Sequence, residues 1–167
     1  MKNYRRITSV LGVIAAIFAL AGILFCLLPA VSIDSIIGSG SSSIFDYTFG
    51  AGDSNANAGL IIAFIFMIIG LLSSLVSAYI ASRKTCKKGK KCDLFLTISG
   101  IVSFAFLLTA GVLIFCTIKL IGGSTGSIAG LATVSVGSGV IVSGIFLVLA
   151  SLIEILASLA LIIDSKK

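Results

Sequence analysis

Long apolar stretches separated by short polar segments are the dominant pattern along this chain. Four such stretches occupy residues 7–29, 58–82, 94–121 and 138–163. A helix needs about 20 apolar residues to cross the hydrocarbon core of a bilayer, because each residue adds about 1.5 Å of rise. Each stretch is at least this long. The pattern therefore predicts four transmembrane helices in a tetraspan topology.

Small residues recur at a spacing of three or four within each predicted span. In the fourth span, a pair of small residues returns every seven positions: Ser143-Gly144, Ala150-Ser151 and Ala157-Ser158. A seven-residue period keeps one face towards a partner in a left-handed coil. Helices in lipid associate through close packing of such faces. We therefore expect an all-α integral membrane protein, a left-handed four-helix transmembrane bundle formed as a single domain by residues 1–167, with Leu, Ile and Phe facing lipid.

The two loops predicted on the outer side cover residues 30–57 and 122–137. Within the first, aromatic residues alternate with other residues, which is the period of a strand with one aromatic face. The aromatic residues are Phe45, Tyr47 and Phe49. A weaker alternation occurs around 132–136 in the second loop. We expect these two segments to pair as a small extracellular β-hairpin or sheet, whose aromatic face is either a lid on the helix ends or a partner-binding surface.

The composition is that of a membrane protein. Hydrophobic residues make up 58% of the chain and charged residues 11%, whereas soluble domains contain about 25% charged residues. The chain has no His, which removes the usual proton shuttle and the commonest metal ligand. The spans also lack a credible pair of nucleophile and base. We therefore expect no enzymatic activity, no metal and no cofactor.

Nearly all basic residues lie in three segments: before the first span, in the loop 83–93, and after the fourth span. The loop carries Arg83, Lys84, Lys87, Lys88, Lys90 and Lys91. Basic residues resist translocation, so this placement predicts a cytoplasmic loop and cytoplasmic N- and C-termini. The loop then lies on the anionic inner leaflet of the plasma membrane or serves as a docking site. The net charge of +6 is thus explained by the membrane, and we expect no nucleic-acid partner.

Glu154 is the one acidic residue inside a predicted span. A charged residue near the centre of the bilayer costs roughly 2.5–3.5 kcal/mol on insertion scales. Glu154 follows Ser151 by three residues and precedes Ser158 by four, which places it on the small-residue face and directs it into the bundle. There it is either a protonated acid bonded to a hydroxyl on another helix, or a proton site, cation site or partner anchor. Lys119 belongs to the opposite leaflet, where it is expected to be an interfacial anchor.

The four cysteines form two groups. Cys86 and Cys92 flank the basic cluster of the cytoplasmic loop, where thiols stay reduced; nearby lysines lower the pKa of a thiol, so redox sensing or acylation is the alternative to plain thiols. Cys26 and Cys116 lie at comparable depth near the outer ends of their spans. A disulfide between them would tie the first span to the third. The alternative is two buried free thiols, which pack as small apolar residues.

These observations favour a non-enzymatic membrane protein that acts as a scaffold or accessory subunit for other membrane subunits, or that associates with itself. The alternative is a small transporter, channel or export subunit that uses Glu154. Transporters usually carry more ionisable residues at the midplane and helices broken by Gly or Pro, whereas the only proline here is Pro29 at a span end. The short loops and the absence of an N-glycosylation sequon favour a bacterial plasma membrane.

Overall fold

The computed structural model describes residues 2–35, 38–50, 56–82, 90–120, 126–128 and 132–165. The helices and strands, in chain order, are α1 (Lys2–Phe25), β1 (Pro29–Ser35), β2 (Gly38–Ser43), α2 (Ile44–Phe49), α3 (Ala58–Ser82), α4 (Lys90–Phe115), α5 (Thr117–Leu120), β3 (Gly126–Ile128), β4 (Ala132–Val136) and α6 (Ser138–Ser165). Helices α1, α3, α4 and α6 are long and apolar enough to cross a membrane. They confirm the four predicted spans.

The first and third spans end earlier in the structure than the sequence pattern predicts. The first span was expected to reach residue 29, but α1 ends at Phe25. Pro29 disfavours helical geometry at the residue before it, and it begins β1 instead. The third span was expected to reach residue 121, but a turn at Cys116 separates α4 from the short α5.

The four long helices pack as a bundle in which each helix has two principal neighbours. Helices α1 and α4 both pack against α3, and both also pack against α6. The pairs α1/α4 and α3/α6 therefore lie on the diagonals of the bundle. Leu107 and Ala110 of α4 are fully buried, whereas Ile17 of α1 and Leu72 of α3 are exposed on the surface. Small residues such as Ala110 therefore face inwards as expected, but Leu107 shows that large aliphatic residues also form part of the core.

Serine hydroxyls on one helix donate to glycine carbonyl oxygens on the next. Glycine has no side chain to cover its carbonyl group, so a neighbouring helix can approach its backbone closely. Three such bonds are Ser74 Oγ to Gly12 O at 3.0 Å, Ser103 Oγ to Gly70 O at 2.9 Å and Ser143 Oγ to Gly22 O at 2.8 Å. They join α3 to α1, α4 to α3 and α6 to α1.

A small antiparallel sheet lies at one end of the bundle, which we call the sheet end. Its strand order is β2-β1-β4-β3, and β1 pairs with β4 between Val31↔Val136 and Ser35↔Ala132. The predicted strand at 132–136 is therefore confirmed. Its central partner is β1, which the alternation pattern did not single out.

The segment 44–49 was expected to be the other strand, and this prediction is wrong. It forms the helix α2, which Ser43 and Asp46 start with a capping box and Gly50 ends in a left-handed conformation with φ 70°. A capping box satisfies backbone N–H groups at the helix start, and a glycine at positive φ ends a helix without strain. These end signals outweigh the period-two alternation of a segment this short.

The sheet is joined to the bundle at the start of α6. The amide of Gly137 donates to Ala30 O at 2.7 Å. A Cβ on Gly137 would collide with the Pro29 carbonyl oxygen, and a Cβ on Gly139 would collide with that of Leu28. The close approach of β1 to the start of α6 thus depends on glycine at these two positions.

Candidate intramembrane acid site

Glu154 lies on α6, about 24 Å along the helix from Ser138 at ~1.5 Å per residue. Its side chain is only 1% exposed, so the prediction that it points into the bundle is confirmed. Neighbouring positions on the same face of α6 are small, with Ser151 and Ser158 both buried. Small neighbours leave room for a carboxyl group at the centre of the helix packing.

The carboxyl group reaches across the bundle to α3, the helix diagonally opposite. Ser74 Oγ is hydrogen-bonded to Glu154 Oε1 in a short contact. The same Ser74 hydroxyl is 3.0 Å from Gly12 O on α1. Residues of three helices, Gly12, Ser74 and Glu154, are thereby linked in one chain across the axis of the bundle.

The fourth helix, α4, contributes a glycine to the same level. A Cβ placed on Gly100 would overlap Ser158 Oγ and lie 3.6 Å from Glu154 Oε2. Ser158 Oγ donates to the carbonyl oxygen of Glu154 at 3.0 Å. We call Gly12, Ser74, Gly100, Glu154 and Ser158 the polar layer of the bundle.

The polar layer separates two apolar clusters of the core. The larger cluster, on the side of the sheet end, includes Met67, Leu107 and Leu147. The smaller cluster, on the other side, contains Ala81, Leu96 and Leu161. The acid is therefore enclosed by apolar packing above and below, and by helix backbones around it.

Polar groups inside the described part of the bundle are fully engaged. Among the described residues, no buried side-chain nitrogen or oxygen lacks a hydrogen-bond partner. Ser77 Oγ donates to Ser74 O at 2.9 Å, and Ser151 Oγ donates to Val148 O at 2.7 Å. These hydroxyl groups thus form hydrogen bonds to backbone carbonyl oxygens, and Ser74 is also bonded to the acid.

Most of the basic loop lies outside the residues that the structure describes. Arg83, Lys84, Lys87 and Lys88 lie outside the described residues, and Lys90 and Lys91 form the first residues of α4 without a described side chain. Lys119 is exposed in α5 at the sheet end, as expected of an interfacial anchor. Over the described residues, no group of three metal-binding side chains comes together.

The two groups of cysteines have different outcomes: the pair of Cys26 and Cys116 matches one of the predicted alternatives, and Cys92 departs from the expected reduced thiols. Cys26 and Cys116 are free, so the disulfide between them is not formed. Cys26 is buried, and its Sγ lies 3.2 Å from Ser143 Oγ. This agrees with the second alternative, in which the thiol is free and packs as a small side chain. Cys92 is disulfide-bonded, contrary to the reduced thiol expected of a cytoplasmic loop, while Cys86 lies outside the described residues.

The aromatic residues of the first outer loop pack on the bundle rather than lining a strand. Phe45 and Phe49 stand one turn apart on α2 and stack on each other with centroids 4.7 Å apart. Each also meets Phe64 of α3 edge-on at 5.3 Å. Tyr47 is partly buried against the larger apolar cluster. The lid interpretation therefore fits their contacts, although Phe49 remains 54% exposed.

Two polar residues of the structure were not identified from the sequence. Ser74 is one of two adjacent serines, Ser73 and Ser74, that lie within helical spacing of Gly70, and the sequence does not single it out. Asn57 accepts from the Gly59 amide at 2.9 Å and donates to Leu120 O at 2.6 Å. Its position directly before an apolar run is the ordinary signal of a helix N-cap.

No protein-family model, curated protein or solved structure matches this chain.

Proposed function

We propose that this chain is a multi-pass plasma-membrane protein of the structural or interaction type, which scaffolds or accompanies other membrane proteins and has no enzymatic activity of its own. One observation supports this proposal. Every buried side-chain nitrogen and oxygen in the described part of the chain has a hydrogen-bond partner. Groups that bind or transform a substrate need free hydrogen-bonding capacity directed at it. Here that capacity is used to hold the helices together.

The surfaces left for contact with other molecules are the apolar helix faces and the sheet end. Ile17 of α1, Val112 of α4 and Leu156 of α6 are each more than half exposed. In a bilayer these faces meet lipid or the helices of a partner. At the sheet end, Phe49 and Ile33 are also exposed. A partner subunit or a second copy of the chain would bind one of these surfaces.

Site-specific photo-crosslinking in native membranes tests this function. A photoreactive residue is placed singly at Ile17, Leu72, Val112 and Leu156, one exposed position on each long helix, with the fully buried Leu107 as the matched control. We expect protein crosslinks of one discrete mass, concentrated on one or two helices, and none from position 107. Crosslinks to lipid alone from all four helices would contradict the proposal.

The orientation belongs to the same proposal. We propose that the end of the bundle that carries the termini and the loop 83–93 lies at the anionic inner leaflet, because these segments hold nearly all the basic residues. The sheet end then faces the outside, where α2 and the sheet are available to partners.

A second function, in which the chain is a subunit of a transporter, channel or export system, is favoured by the position of Glu154. It lies against Gly100 of α4 and is bonded to Ser74 of α3, which in turn bonds to Gly12 of α1, so that it is linked to all the other long helices. Proton or ion flux into liposomes tests this alternative. Flux that is lost in Glu154→Gln and kept in Asp93→Asn, the same chemical change near the end of α4, would support it. The absence of flux in the unmodified protein would remove it.

A further inference from the structure

We propose that Glu154 is a proton-binding site whose bound proton completes a hydrogen-bond chain from Glu154 through Ser74 to the Gly12 carbonyl, so that the packing of α1, α3 and α6 is coupled to protonation of one acid. This inference concerns the interior of the bundle and does not depend on the proposed partner role.

Ser74 has only one hydroxyl proton, and two oxygen atoms lie within hydrogen-bond distance of it. A hydroxyl group has one proton to donate, and a carboxylate and a carbonyl oxygen only accept. Ser74 Oγ lies within hydrogen-bond distance of both Glu154 Oε1 and Gly12 O. With an ionised Glu154, the single Ser74 proton serves one of these acceptors and leaves the other contact without a proton. With a neutral Glu154, the acid donates to Ser74 Oγ, Ser74 donates to Gly12 O, and both bonds are made.

Within the described part of the chain, no charged group is seen to compensate the carboxyl group. The groups described next to it or to its partner Ser74 are the Gly12 carbonyl, the Ser74 hydroxyl, Gly100 and Ser158, none of which ionises. The nearest ionisable residues along each helix are Arg6 on α1, Tyr79 on α3, Asp93 on α4 and Asp164 on α6. They lie roughly 7–15 Å further along their helices at ~1.5 Å per residue. Tyr79 is also 55% exposed, and so points away from the axis.

The ligand of this site is a proton and not a metal cation. Glu154 Oε1 and Ser74 Oγ are hydrogen-bonded to each other, so an ion held by both oxygens would have to displace this bond. A calcium ion takes 6–8 oxygen ligands. The carbonyl oxygens of Gly12 and Glu154 already accept from Ser74 and Ser158. A proton taken from water needs only the two oxygens that are already in contact.

Loss of the proton to water would place a full negative charge in the polar layer. A charge enclosed by apolar packing is strongly unfavourable, and the chain of two hydrogen bonds would be reduced to one. The contacts of α3 and α6 across the axis would then weaken. The helix packing is expected to loosen as the pH rises through the range in which the proton leaves, and to be complete below it.

The sequence offers a direct way to observe this acid, because Glu154 is the only glutamate in the chain and glutamine is absent. Cell-free synthesis with glutamate labelled with ¹³C at the side-chain carboxyl therefore marks one residue of the unmodified full-length protein. Infrared spectra in lipid nanodiscs then separate the carbonyl stretch of a protonated acid from the stretches of a carboxylate. At neutral pH we expect an isotope-shifted protonated-acid band. This band should change frequency in Ser74→Ala and stay in place in Ser103→Ala, a matched serine that donates to Gly70 O on another pair of helices.

Three results would overturn the proposal. The first is a labelled signal at neutral pH that is entirely carboxylate. The second is a protonated-acid band that is unaffected by Ser74→Ala, which would break the proposed chain. The third is loss of the band on adding sodium or potassium at fixed pH, which would identify a cation site instead.

The coupling to packing has its own measurement. Thermal unfolding of the unmodified protein should shift to lower temperature as the pH rises across the range in which the labelled band converts to carboxylate. Glu154→Gln, which has nearly the same shape and no titrating proton, should lose this pH-dependent shift. Parallel pH profiles for the two proteins would contradict the coupling even if the acid is protonated.

Discussion

Gly100 on α4 lies directly against the hydroxyl of Ser158 on α6, so that a Cβ at position 100 would overlap the Ser158 Oγ atom. Ser158 cannot simply rotate away, because its hydroxyl donates to the carbonyl oxygen of Glu154 at 3.0 Å. The approach of α4 to α6 at the polar layer is therefore limited by one glycine and one serine.

We expect Gly100→Ala to destabilise the bundle by about 1–3 kcal/mol, since inserting a methyl group into a closely packed contact shifts side chains or backbone. Equilibrium unfolding by denaturant in mixed micelles measures the change. Gly40→Ala is the matched control, because a Cβ at Gly40 meets nothing within 4 Å. This control should leave the free energy of unfolding close to that of the unmodified protein.

The same contact predicts a rescue. In a Ser158→Ala background the overlapping oxygen is gone and the Ser158 Cβ lies 3.5 Å from the added Cβ, so Gly100→Ala should cost much less than in the unmodified protein. Equal costs in the two backgrounds, measured as a double-mutant cycle, would show that the helix backbones and not this hydroxyl limit the approach.

Truncation of Glu154 should be more harmful than its neutral replacement. Glu154→Ala leaves the Ser74 hydroxyl with only the Gly12 carbonyl as a partner and opens a cavity at the bundle axis, for which we expect a loss of about 1–3 kcal/mol. Glu154→Gln keeps an N–H donor in reach of Ser74 Oγ and should lose less. Unfolding free energies at neutral pH compare the two variants. A larger loss in Glu154→Gln than in Glu154→Ala would contradict the need for a hydrogen-bonding group at this position.

Asn57 should be important for the start of α3. Its side chain accepts from two amides of the first turn, those of Gly59 and Leu60, and donates to Leu120 O. Loss of an N-cap costs about 0.5–2 kcal/mol, and loss of a hydrogen bond about 1 kcal/mol. Asn57→Ala should lose both contributions.

Replacement by aspartate separates the two contributions of Asn57. Asn57→Asp keeps an oxygen for the cap and places it against the Leu120 carbonyl oxygen, where a donor is needed. Hydrogen exchange of the first α3 turn should therefore accelerate strongly in Asn57→Ala and only slightly in Asn57→Asp, whereas exchange at α5 should accelerate in both. Identical exchange of the first α3 turn in the two variants would show that the cap oxygen contributes little and that the bond to Leu120 O is the important one.

The proposed orientation predicts which ends of the bundle react with an impermeant thiol reagent. Ser41 on β2 at the sheet end and Ser82 at the far end of α3 are both exposed. In intact cells, Ser41→Cys should be labelled and Ser82→Cys should be labelled only after permeabilisation. The reverse pattern would place the basic loop outside and contradict the positive-inside assignment.

The spans were predictable because a bilayer-spanning helix requires a long apolar run, and 58–82 was predicted with the bounds that α3 has. The direction of Glu154 was predictable from its spacing to Ser151 and Ser158. Its partner was not, since Ser73 and Ser74 are both within helical spacing of Gly70 and only the packing angle selects one of them. The strand predicted at 44–49 failed because the alternation of six residues is too short to outweigh a capping box at Ser43 and a left-handed Gly50.

The serine bonds to Gly12, Gly22 and Gly70 have a consequence for how this protein tolerates change over generations. A main-chain oxygen is present whatever amino acid occupies its position. Each serine hydroxyl therefore binds the backbone of the neighbouring helix and not a particular side chain. Alanine in place of one of these glycines would keep the acceptor but bring its Cβ against the next helix, 2.6 Å from Leu107 Cγ at position 70 and 3.1 Å from Ala78 Cβ at position 12. The glycine positions are therefore expected to change slowly because of space and the serine positions because of their hydroxyl groups.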